Sequence, residues 1–291
     1  MPLIKFTIIT LFPEALQPYL ESSMLFKAQE RGIIAVEYVN LRDFGLGPHK
    51  SVDDTPYGGG DGMLLRPEPV FAAVESIKAQ SPEAKVFLPT PVGQTWNQAL
   101  AREFAGIASE NASQTSLEAL EASIAQKSRT TALTPKNASE GEFETSAGKM
   151  AKNTSQNHDN PELLAKSEPD SAVMQANRHY IIICPHYEGY DERIMTLVDY
   201  SISLGNYVLT GGELAALIMI DSITRLLPGV LGGATSAQIE SFSDGDNLEF
   251  PQYTKPAEFR GMKVPEVLLS GHHGKVAEWR QAHTRRQSRA N

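Results

Sequence analysis

The chain has 291 residues, 41% hydrophobic and 21% charged, with a formal charge of −9. No apolar run reaches the 18 or more residues of a membrane span, and the net charge argues against a general nucleic-acid coat, whose affinity comes from Lys and Arg neutralising phosphates. A single cysteine, Cys184, excludes an internal disulfide and a multi-cysteine zinc site. The charge is uneven. Residues 251–291 carry 8 basic and 3 acidic groups on a chain that is otherwise −14, which suits either an RNA-contacting arm or a solvated helix face.

Ile4 to Leu11 is apolar and β-branched and predicts a buried strand, with a helix starting near Pro13. The absence of a small-residue cleavage site after it argues against a signal peptide and for the cytoplasm. A second strand is expected at Ile33–Asn40, followed by a shaped loop, His49–Met63, with glycines at 58, 59, 60 and 62. Pro69–Ala79 reads as a helix, Lys85–Leu88 as a strand running into TPVG at 90–93, and Asn97–Gly106 as a helix. About 108–176 is rich in Ala, Ser, Asn, Gln and Glu, with Phe143 its one aromatic, and reads as an inserted, largely disordered loop. His179–Cys184 predicts a buried strand, Ser203–Gly212 a strand between glycine turns, Glu213–Leu227 a helix, and His273–His283 the one helix of a small C-terminal domain. Strand and helix in alternation make this an α/β protein with a parallel sheet. Flanked by Ile181–Ile183, Cys184 reads as a structural core residue.

Three strand-end loops are built alike: Thr90-Pro91-Val92-Gly93, Pro185-His186-Tyr187-Glu188-Gly189, and Leu204-Gly205-Asn206-Tyr207 with Leu209-Thr210-Gly211-Gly212. In a parallel α/β sheet such loops converge on one edge, where ligands bind. Neither G-x-G-x-x-G after a strand nor G-x-x-x-x-G-K-[ST] occurs, so the usual dinucleotide and P-loop sites are absent. Each loop taken alone suits a mere tight turn; the three together suit the enclosure of a flat ring.

Seven segments carry a resemblance: LFPE at 11–14, VDDTPYGGGDGM at 52–63, YEGYDERI at 187–194, LGNYVLTGGEL at 204–214, IDSITRLLPGVLG at 220–232, YTKP at 253–256 and MKVPEVLLSGHH at 262–273. In order and spacing the chain resembles the bacterial tRNA (guanine-N1)-methyltransferase family, TrmD, of the SPOUT class. The resemblance implies a SPOUT-type parallel sheet with a deep trefoil knot, a homodimer, S-adenosylmethionine as cofactor and tRNA as partner, without membrane or DNA. It divides the chain into a knotted cofactor domain at 1–236, a flexible linker at 237–250 and a small C-terminal tRNA-contacting domain at 251–291, shorter than is usual for the family. The implied cofactor residues are Pro91, Val92, Gly93, Pro185, Tyr187, Glu188, Leu204, Gly205, Tyr207, Leu209, Gly211 and Gly212.

The implied reaction methylates N1 of the guanosine 3′ of the anticodon, position 37. Guanine N1 carries a proton, so a base must reach it while the methyl lies in line, and a cation near O6 would stabilise the charge that develops. The resemblance gives the cation to Arg225. It gives the base to Glu240, where the family has aspartate, with Asp244 and Asp246 as nearby substitutes. Glu188 is assigned an assisting role near the methionine moiety, where the resemblance also leaves room for Mg²⁺. Pro185 and His186 stand where the family has glycine and arginine. Two other readings stay open on the residues alone: a paralogue with weakened or no turnover, and an RNA-binding module without catalysis.

Overall fold

The computed structural model describes residues 2–107, 178–232, 240–242 and 247–286, all within one compact unit. The expected insertion at 108–176 falls wholly outside the described residues, as do Asp244 and Asp246.

Five parallel strands form the sheet: β1 (Ile4–Thr10), β2 (Ile34–Asn40), β5 (Lys85–Thr95), β6 (Arg178–Ile183) and β7 (Tyr200–Ser203), in the order β2-β1-β6-β5-β7. Two two-residue strands, β3 (Asp53–Asp54) and β4 (Leu64–Leu65), pair at the ends of the glycine-rich loop. Helices α1 (Pro13–Leu20), α2 (Ser23–Glu30), α3 (Pro67–Gln80), α4 (Gln98–Ala105) and α5 (Glu213–Thr224) complete the body.

Both faces of the sheet are covered, so its central strands bury runs of consecutive residues, Phe6–Thr10 in β1 and Tyr180–Ile183 in β6, rather than alternate ones. In β6, Tyr180, Ile182 and the following Cys184 pack with α1, α2, α4 and α5 on one face, while Ile181 and Ile183 meet α3 on the other. Cys184 is buried, and burial pushes its thiol well above the ordinary range, which fits a core role. Truncating a fully buried side chain such as Ile182 to alanine would cost about 2–5 kcal/mol.

Helix α4 begins and ends where its sequence dictates. The Asn97 side chain accepts from the Leu100 N–H at 3.0 Å, and Gly106 takes the left-handed conformation, φ 81°, that stops the helix. Arg178, the first residue of β6, donates to the carbonyls of Glu103 at 2.8 Å and Phe104 at 3.3 Å. One side chain thus ties the start of a central strand to the end of α4.

Two expectations need correction. The strand at Lys85 does not stop at Leu88 but continues to Thr95, with Thr90–Gly93 as an irregularity inside it: Pro89 and Gln94 both face Ile202 of β7. Such a bulge needs Gly93, because a Cβ there would lie 2.5 Å from the backbone of Ser201 and Ile202. The segment Ser203–Gly212 is not a strand; the strand precedes it at Tyr200–Ser203, and 204–212 is loop. The helix expected near Pro13 begins there and ends at Leu20; a second helix follows from Ser23, whose φ is 48° at the junction.

Beyond the sheet, residues 247–286 hold a β9–β10 hairpin (Glu258–Phe259, Met262–Lys263), a short β8–β11 pair (Asn247–Leu248, Arg285–Arg286) and two helices, α6 (Glu266–Leu269) and α7 (His273–His283). Helix α7 matches its expected bounds. No residue of α6 or α7 is buried.

Candidate active site

At the carboxyl edge of the sheet the loops after β6 and β7 converge with the bulge of β5 on one open cleft. Its walls include Pro91, Pro185, Tyr187, Glu188, Leu204, Gly205, Tyr207, Leu209, Gly211 and Gly212. These are ten of the twelve cofactor residues expected from the sequence. Val92 and Gly93 are not among the lining residues: Val92 is 84% exposed, and Gly93 serves the bulge against β7.

The cleft is shaped mainly by backbone. Gly212 donates its N–H to the Pro185 carbonyl at 2.8 Å, which locks the two loops together. A Cβ on Gly212 would lie 2.5 Å from Pro185 Cδ and 2.8 Å from Cys184 Cα, so the approach requires glycine. The Tyr190 hydroxyl donates to Thr90 Oγ1 at 3.1 Å and ties the β6 loop to the bulge. Apolar walls with a few convergent backbone polar groups suit the binding of a small molecule such as a cofactor.

A second set of contacts joins the cleft to the glycine-rich segment at 53–66. Glu188 N–H donates to Met63 O at 3.0 Å, Leu65 N–H to Gly189 O at 2.9 Å and Asp191 N–H to Leu65 O at 3.0 Å. Tyr187 sits in the left-handed region, φ 63°, which is costly for a bulky residue and marks a position held by its surroundings. Burial and the Asp53 charge push its phenol up. His186, which stands in place of an arginine, also lines the cleft. Its ring packs on Phe12 with centroids 4.9 Å apart, and its Nδ1 is buried without a hydrogen-bond partner among the described residues.

The expected catalytic residues divide into two groups. Glu188 lies in the cleft. Arg225 and Glu240 do not; they meet each other at the far end of α5, in a bidentate pair of 2.7 Å (Nη1 to Oε1) and 2.6 Å (Nη2 to Oε2). The Glu240 side chain is 14% exposed and that of Arg225 36%. Pairing with Glu240 pushes the guanidinium above its ordinary range, against the effect of burial. Gln98, in the first turn of α4, adds a third donor at 3.0 Å to Glu240 Oε1, and Trp96 Nε1 donates to Ser222 Oγ at 3.0 Å. Neither Gln98 nor Trp96 was singled out in the sequence. The 142 residues separating Gln98 from Glu240 leave no local signal.

A paired acid and cation, a backbone-built cleft and the seven motifs all fall on residues 4–136 and 165–291, the segments matched by the family model described as tRNA (Guanine-1)-methyltransferase TrmD. The chain belongs to this family. A tRNA (guanine-N(1)-)-methyltransferase of Halalkalibacterium halodurans is 42% identical over 279 residues, covering 95% of this chain and 85% of its own. One of Latilactobacillus sakei is 40% identical, with 95% and 84% covered. Among solved structures, the tRNA (m1G37) methyltransferase of Aquifex aeolicus superposes with a TM-score of 0.61 at 30% identity, over 97% of this chain and 89% of that one. Membership of the TrmD family accounts for the α/β architecture and makes the chain a methyltransferase by class. Among the described residues no helix is long and apolar enough to cross a membrane, and no group of three or more His, Cys, Asp or Glu could hold a metal ion.

Proposed function

We propose that the protein methylates N1 of guanosine 37, 3′ of the tRNA anticodon, in the cytoplasm, with S-adenosylmethionine held in the cleft. The observation that carries this reading is the Arg225–Glu240 pair, which matches the Watson–Crick edge of guanine: a carboxylate to accept from N1–H and a guanidinium to donate to O6. When bound, the cofactor supplies a methyl group on a positively charged sulfur. Glu240 takes the N1 proton, the freed electron pair of N1 forms the bond to the methyl carbon, and the carbon–sulfur pair stays with sulfur. Arg225 stabilises the charge that gathers on O6 as the proton leaves. Glu188, beside the cleft, orients the methionine end and is where Mg²⁺ would approach.

Geometry supports a two-chain site. Helix α5 has 12 residues and is therefore about 18 Å long, with the cleft at its Gly212 end and Arg225 at the other. Such a separation suits action in trans, each protomer's pair serving the cleft of its partner in a homodimer. An apolar surface is available: Leu214 and Ile218, four residues apart on α5, are 57% and 46% exposed. The reading retains the trefoil knot of residues 1–236, the linker at 237–250 and the tRNA-contacting domain at 251–291.

The experiment is transfer of tritiated methyl from S-adenosylmethionine to tRNA transcripts carrying guanosine or another base at position 37. Labelling confined to guanosine 37 is expected. Labelling that ignores this base would exclude the reading, and no labelling would favour a binding role.

A further inference from the structure

The linker carboxylate is held unequally at its two oxygens. Among the described residues, Glu240 Oε1 accepts from both Arg225 Nη1 at 2.7 Å and Gln98 Nε2 at 3.0 Å, whereas Oε2 meets only Arg225 Nη2, in an ion pair at 2.6 Å. A carboxylate oxygen offers about two lone-pair sites. Among the described residues Oε1 uses both, and Oε2 keeps only the ion-pair contact. We propose that Gln98 is a positioning residue for methyl transfer: by occupying Oε1 it leaves Oε2 as the oxygen that takes the guanine N1 proton.

The guanidinium fork alone cannot make this distinction, because it meets a carboxylate with two parallel, equivalent bonds. Gln98 breaks the equivalence from a different element. Its backbone sits in the first turn of α4, fixed by the Asn97 cap, while two residues earlier Trp96 bonds Ser222 in the last turn of α5, near Arg225. Helix ends tied together in this way hold amide and guanidinium at a set spacing, as a precise site requires. The extra methylene of glutamate over aspartate has a use here, since an aspartate on the same backbone would stop short of the Gln98 amide.

This inference rests on Glu240 as the base, and the two can fail separately. The test is single-turnover methyl transfer by the full-length protein to a guanosine-37 transcript, with both substrates saturating. Gln98→Met keeps the length of the side chain and removes the donor. It is expected to lower the rate about tenfold, as small misplacements of a reacting group do, with KM for tRNA and for S-adenosylmethionine unchanged. In a Glu240→Asp background the same substitution is expected to cost nothing further, because the pair is already uncoupled. Gln98→Glu, which sets two carboxylates face to face, is expected to lose more than Gln98→Met and serves if the latter folds poorly. Equal losses in both backgrounds would reduce Gln98 to a packing residue and overturn the proposal, as would an unchanged rate or a rise in KM alone. Full activity in Glu240→Ala would instead remove the base assignment itself.

Discussion

The two ends of α5 are built from different materials. At the Gly212 end the cleft is a matter of backbone: close approach of loops, left-handed turns and carbonyl-to-amide bonds leave no room for a Cβ. At the Arg225 end everything depends on side chains, with a guanidinium, a carboxylate and an amide drawn from three separate segments. Shape that must admit one molecule is secured by backbone, which has few alternative conformations. Charge that must meet a transient species is supplied by side chains, whose oxygens and nitrogens can be exchanged between partners during the reaction. The contrast predicts that the two ends fail in different ways.

The largest effect is expected at the side-chain end. Arg225→Ala removes the cation proposed to face O6 and leaves the Glu240 carboxylate, 14% exposed, without its guanidinium partner. Single-turnover methyl transfer should fall by about 10²–10³, the usual loss for one donor to a developing anion. Equilibrium binding of S-adenosylmethionine, measured by calorimetry, should be unchanged. A loss of cofactor affinity in this variant would break the division between the ends. At the backbone end, Gly212→Ala forces Pro185 and Cys184 apart, and a strain of about 1.4 kcal/mol or more would weaken cofactor binding at least about tenfold. Here the calorimetric affinity should move first, with the rate restored by excess cofactor.

The sheet between the ends supplies the smallest effect. His179 is half-buried at the start of β6, with Nε2 2.8 Å from Thr7 Oγ1. Burial lowers its pKa below the ordinary 6.5, and Lys5 adds to the shift. The unfolded chain therefore takes up this proton more readily than the folded one. Its contribution to stability is complete above about pH 6.5 and is lost as pH falls towards the depressed folded value. Thermal unfolding followed by circular dichroism should show a modest decline from about pH 7 to 5, and His179→Gln should flatten it. An equal decline in the variant would assign the acid sensitivity elsewhere.

Much of this architecture was legible in the residues. The apolar run at 179–184 announced a strand buried on both faces, and the helix expected at Asn97–Gly106 is α4, with those two residues as its caps. What escaped was long-range. The bulge in β5 depends on how closely β7 approaches Gly93, and β7 itself is four residues, two of them serine, too short and polar to stand out from the glycine turn that follows. At the site, motif matching led to Arg225 and most of the cleft, which lie in continuous signatures, and the family resemblance extended from them to Glu240 in the linker. Gln98 could not be reached in this way. Its significance arises only when folding carries α4 to the linker, and the α5 geometry that separates the acid–cation pair from the cleft is likewise a property of the assembled chain.

Arg178 has a consequence for how this chain is held. Its guanidinium holds the carbonyls that end α4, so the chain leaves the sheet and re-enters it at a single anchored point. The exit from α4 and the entry to β6 therefore hold each other in place through one guanidinium, a clamp that calls on no residue between Ile107 and Arg178.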